Sequence, residues 1–103
     1  MVTGVRIHAT GGPEVMALEN IELEAPAPGM VTITNHAIGL NYIDTYHRSG
    51  LYPLPLPTGI GMEGAGIVTA VGEDVDLAVG DRIAYCSAGF GAYAQALNLP
   101  ASR

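Results

Sequence analysis

The chain has 103 residues, 49% of them apolar, with ten acids against four bases and a formal charge of −6. That length holds one small domain and not two, and the acidic balance speaks against a nucleic-acid or anionic-membrane surface, where phosphates need clustered Lys and Arg. A single cysteine excludes an intrachain disulfide and a cysteine metal cluster; no apolar run approaches the ~18 residues of a membrane span, and residues 1–9 lack a secretory leader, so a soluble, cytoplasmic protein is expected.

Fourteen Gly and seven Pro punctuate the chain every few residues, which favours short strands and turns over long helices. Residues 4–9, GVRIHA, alternate Val5, Ile7 and Ala9 with Arg6 and His8 and predict a first strand with one wet face. TGGPEV is a turn. Residues 18–24 set Leu18, Ile21 and Leu23 among acids, a weaker strand, which APAPG (25–29) breaks. Residues 30–39, MVTITNHAIG, form the clearest strand. From 40 to 50 the pattern changes: Asp44 and Arg48 stand four apart and Gly50 can close a helix of about two turns near 41–49. LYPLPLPTG is an extended surface loop. A strand over 63–72, an acidic turn at Glu73, Asp74 and Asp76, a strand DRIAYCS (81–87) and a last strand over 91–100 complete the chain. Many short strands with turn signals every 8–12 residues predict a mainly β fold, a small barrel or sandwich.

TGIGMEGAG (58–66) contains G-x-G-x-x-G at Gly59, Gly61 and Gly64. A pyrophosphate-binding turn needs a strand leading in and a helix leading out, so that helical amides meet the phosphates. Here the lead-in is PLPLPT and the lead-out is the β-branched IVTAVG. The glycines are expected to let backbone cross closely inside a barrel wall instead.

Residues 37–72, AIGLNYIDTYHRSGLYPLPLPTGIGMEGAGIVTAVG, followed by VGDRIAY, together with GGPEV near the start and GFGAYA near the end, resemble the quinone oxidoreductases. These are the zeta-crystallin-like, zinc-free members of the medium-chain dehydrogenase/reductase superfamily. The resemblance runs over essentially the whole chain and implies a GroES-like β-barrel, the amino-terminal catalytic domain of a longer enzyme, filling residues 1–103. It implies NADPH as reductant, held mainly by a Rossmann domain outside these residues, a quinone or enone substrate, and a homodimeric full-length enzyme without nucleic-acid or membrane partners.

In zinc-dependent relatives the GMEGAG stretch reads G-H-E-x-x-G and its His binds catalytic zinc, with a Cys ligand three residues before an Asp. Met62 stands in the His place and Asn41 in the Cys place before Asp44. A thioether and an amide oxygen are poor substitutes for imidazole and thiolate, so no metal site is expected. The resemblance further implies that Asn41, Tyr46 and Tyr52 line the nicotinamide and quinone pocket as the catalytic groups. It places Tyr42, Ile43, Asp44, Thr45 and Tyr46 along the cofactor. Their chemistry suits such roles. A phenol of pKa near ~10 stays protonated at neutral pH and donates to a developing oxyanion, and an amide offers both donor and acceptor.

More ordinary roles stand beside these. The tyrosines could be packing residues and Asn41 a helix cap. Asp44 could pair with Arg48, and Glu63 is expected in a structural ion pair with a partner such as Arg48. His8, His36 and His47 lack a ligand spacing and read as solvated or core histidines, and Cys86 as a small buried hydrophobe. Two other classes compete: a zinc-type alcohol dehydrogenase domain, and a GroES-like co-chaperonin or assembly module with LYPLPLPTGIG as its mobile loop. A chaperonin cap has no use for NYIDTY followed by Tyr52.

Overall fold

The computed structural model describes residues 2–86 and 89–101. Eight regular elements follow in order: β1 (Val2–Ile7), β2 (Ala17–Ile21), β3 (Met30–Ile38), α1 (Ile43–Ser49), β4 (Thr58–Gly59), β5 (Glu63–Val71), β6 (Arg82–Cys86) and β7 (Ala96–Pro100). The turn after β1 holds one 3₁₀ turn at Pro13–Val15. The strands form two antiparallel sheets, a three-stranded one in the order β2-β1-β4 and a four-stranded one in the order β6-β5-β3-β7.

β-branched alternation makes β3 and β5 the long central strands. Val31, Ile33 and Val68 turn inward and are almost fully buried, and they pack with Tyr85, Ala92 and Leu99 into one core. Two irregularities in the β3–β5 ladder, at Thr32/Ile33 and Asn35/Ala37, bend the pair, as bulges do in closing sheets. Residues 92–95 stitch the sheets together. The Val5 amide donates to the Tyr93 carbonyl at 2.7 Å, the Gln95 amide to Thr3 at 2.9 Å, and the Asn35 amide to Gln95 at 2.8 Å. The Asn35 side chain completes the seam: its Nδ2 donates to the carbonyls of Ala94 at 2.9 Å and Ala92 at 3.2 Å, and its Oδ1 accepts from the Tyr85 hydroxyl at 2.8 Å. The mainly β architecture expected from the sequence is the one observed.

Several details differ from expectation. The proline-rich loop carries a two-residue strand, β4, whose Thr58 and Gly59 pair with Ile7 and Arg6. The last strand starts at Ala96 rather than 91, preceded by an isolated bridge between Ala94 and Gly4. Ser87, expected at the end of β6, lies outside the described residues. Cys86 is exposed rather than buried, because alternation along β6 turns Tyr85 inward and its neighbours outward.

No helix among the described residues is long and apolar enough to cross a membrane. The G-x-G-x-x-G stretch leads into β5 and not into a helix. Gly59 carries no side chain because a Cβ would lie 2.7 Å from the Gly91 Cα, and this close backbone crossing is the role expected for these glycines.

Candidate functional site

α1 is seven residues long and begins without a side-chain cap. Asp44 in its first turn ties the chain before the helix to it: its Oδ2 accepts the backbone amide of Asn41 at 3.1 Å, and the Asp44 backbone amide donates to the Asn41 carbonyl at 3.0 Å. His47 and Arg48 lie in the last turn, where positive charge suits the helix dipole. Gly50 ends the helix at φ 86°, and its amide meets the Tyr46 and His47 carbonyls. The Tyr52 amide also donates to Tyr46, at 3.2 Å, which returns the chain so that Tyr52 stands beside the helix.

This short frame assembles an aromatic column. The rings of Tyr42 and Tyr46 meet edge to face at 5.4 Å, and those of Tyr46 and Tyr52 at 5.3 Å. Tyr42 is 76% exposed and Tyr52 49%, so the column is an open wall. Among the described residues the tyrosine hydroxyls with protein partners are those of Tyr85 and Tyr93; those of Tyr42, Tyr46 and Tyr52 have none. The half-buried Asn41 adjoins the start of the column in sequence, and its side-chain amide makes no hydrogen bond among the described residues. The result is a row of flat aromatic faces bearing free donors, suited to a planar, carbonyl-bearing ligand.

The other residues singled out in the sequence fall elsewhere. Asp44 is 3% exposed, and its Oδ2 also accepts the Tyr93 hydroxyl at 2.5 Å; its carboxylate faces the barrel. Asp44 does not pair with Arg48, whose Nε donates to the Gly11 carbonyl at 3.3 Å. The expected Glu63–Arg48 pair is also absent among the described residues, where Glu19 instead hydrogen-bonds the His8 ring, Oε2 to Nε2 at 2.7 Å. The Glu63 side chain instead lies over Gly39, where any Cβ would collide with it. His47 is a core histidine, 5% exposed, with its ring 4.8 Å from that of Phe90, and His36 is exposed.

A groove of about 660 Å³ runs along Ala37–Gly39, Glu63–Ala65 and Ala84–Cys86. Asn41, Tyr46 and Tyr52 do not line it. Sequence reasoning missed Tyr93, whose side chain reaches from the barrel seam to α1. Its signal was the GFGAYA stretch, which carries a resemblance but no pattern that gives the tyrosine a role.

Comparison with known proteins gives a consistent picture. Residues 27–103 match the model of the alcohol dehydrogenase GroES-like domain. The chain is 50% identical over 97 residues to a quinone oxidoreductase of Pseudomonas aeruginosa, covering 92% of this chain and 30% of that protein. It is 45% identical over 105 residues to quinone oxidoreductase 1 of Escherichia coli, covering 100% of this chain and 32% of that protein. Among solved structures, the Escherichia coli quinone oxidoreductase complexed with NADPH superposes with a TM-score of 0.94 at 46% identity, over 96% of this chain and 31% of that one. The chain thus spans about a third of the length of the curated relatives it matches.

Proposed function

The chain belongs to the alcohol dehydrogenase GroES-like domain family, in the quinone oxidoreductase branch of the medium-chain dehydrogenase/reductase superfamily, and from this premise we propose that it is the amino-terminal catalytic domain of a cytoplasmic, homodimeric NADPH:quinone oxidoreductase that works without zinc. The observation that carries the reading is the open tyrosine column with its free hydroxyls, starting next to the Asn41 amide. The NADPH complex of a 46% identical relative supports the choice of reductant.

The residues present suit NADPH. Tyr42, Ile43, Thr45 and Tyr46 offer an accessible turn against which a flat ring and its ribose can lie, and Asp44 holds that turn from beneath. Bound NADPH supplies a hydride. The chain's own part is to orient the acceptor and to stabilise charge on its oxygen. In a quinone or enone receiving hydride, negative charge grows on a carbonyl oxygen, and Tyr46, Tyr52 and Asn41 are the donors that can meet it. Zinc does not fit the residues present. The two positions that would supply its nitrogen and sulfur ligands hold the Met62 thioether and the Asn41 amide, which bind it far more weakly.

The test is quinone reduction by the full-length protein and its Tyr46→Phe, Tyr52→Phe and doubly substituted variants, in steady state and single turnover. A donor shared among two or three in a partly open site is worth about 1–2 kcal/mol, or roughly tenfold in rate. Each single variant should lose about that much, Tyr46→Phe with the larger effect on cofactor placement. A double variant that turns over as fast as wild type would mean that the tyrosines only shape the wall and that proximity alone carries the reaction.

A further inference from the structure

Beneath the tyrosine column lies a polar tether that the reaction as described leaves unused. Its fixed end is Tyr93. The Tyr93 amide donates to the Ile60 carbonyl at 3.0 Å, and its carbonyl accepts the Val5 amide at 2.7 Å. The ring rests against Gly61, where a Cβ would stand 2.6 Å from Cδ1 and 2.9 Å from Cε1. The middle glycine of the G-x-G-x-x-G pattern, at φ 102°, is therefore the space that Tyr93 occupies. From there the hydroxyl donates to Asp44 Oδ2 at 2.5 Å, and the same oxygen accepts the backbone N–H of Asn41 at 3.1 Å. Asp44 Oδ1 is buried without a partner, so this carboxylate is held through a single oxygen that joins the barrel seam to the entry of α1.

We propose that Tyr93 is a positioning residue for the reduction: through Asp44, its hydroxyl sets where Asn41 and the first turn of α1 stand relative to the barrel. The proposal rests on the reading of Asn41 and Tyr46 as substrate-facing groups. Geometry gives the tether a purpose. A seven-residue helix with no side-chain cap has little stiffness of its own, and a displacement of about 1 Å at a reacting site can cost 10²-fold in rate. Burial and the adjoining Asp44 carboxylate push the hydroxyl's pKa above its ordinary value, so it remains a donor at neutral pH.

Tyr93→Phe removes the hydroxyl and keeps the ring packed on Gly61. In the full-length protein two readouts are taken: amide hydrogen exchange over residues 39–45, and kcat and KM for quinone reduction. Exchange in that segment should speed up about tenfold while β3 is unaffected, and kcat should fall about tenfold with little change in the KM for quinone. Unchanged exchange overturns the proposal whatever the activity. Faster exchange with unchanged kcat overturns it too, and Asn41→Ala then separates the causes. If Asn41→Ala also leaves kcat unchanged, the site reading has failed; if it lowers kcat, only the Tyr93 tether has.

Discussion

Two tyrosines hold the fold together through their hydroxyls, and both leave a signature in pH. Burial, and then the hydrogen bond and charge of Asp44, push the Tyr93 hydroxyl well above the ordinary value of 10.0. Burial raises Tyr85 as well, partly offset by its bond to Asn35. A phenol whose pKa is higher folded than unfolded binds its proton more tightly in the native state. Its contribution to stability is complete below about pH 10 and is lost as pH rises toward the folded value. Denaturant titrations between pH 8 and 11 should therefore show stability falling above pH 10, with a shallower fall in Tyr93→Phe; equal slopes for the two proteins would count against the partly buried Tyr93–Asp44 bond. Single residues are the hardest scale to read in the sequence. The apolar character of Cys86 points inside, but its place in the alternation of β6 puts it outside. Asp44 has a ready local partner in Arg48, four positions on. Its true partner, Tyr93, lies 49 residues away, and no local pattern announces a partner at that distance.

Elements are more legible, because period and punctuation are local. The central strands β3 and β5 and the helix α1 all stand where alternation, β-branching and a closing glycine put them. β4 does not announce itself: two residues inside a proline-rich run have no period, and their strand geometry comes from β1 lying beside them. The glycine that ends α1 is the element's most exposed weakness. At φ 86° a side chain is strained, and a Cβ would come within 3.0 Å of the Thr10 side chain. Gly50→Ala should lower stability by about 1–2 kcal/mol. It should also disturb the Tyr52 amide bond to Tyr46, so that quinone turnover suffers along with the melting temperature. A variant as stable and as active as wild type would show that the left-handed cap is dispensable.

The whole molecule presents more apolar surface around α1 than a self-contained domain needs: Leu40 is 82% exposed, Tyr42 76% and Leu51 63%. The fold class is readable as a sum of strand signals and the family from a long gap-free block, whereas the open form of the site is not, since which faces remain uncovered is a property of the folded chain. The described residues also hold no helix after the glycine pattern to meet a pyrophosphate. The 103-residue chain alone should therefore show no saturable NADPH binding at concentrations that saturate the full-length protein, as followed by nicotinamide fluorescence. Tight binding by the isolated chain would mean that the tyrosine wall itself supplies most of the affinity. The stitching of β1 has a last consequence, for synthesis rather than catalysis. β1 can pair with β2 as soon as both emerge, yet its other edge must wait for β4 and its seam for Gln95. Roughly 36 residues lie between Gly59 and Gln95, so at ~5–20 residues per second a nascent chain spends about 2–7 s with its first hairpin only half enclosed. During that interval part of the β1 edge stays open, an edge that the finished barrel closes for itself.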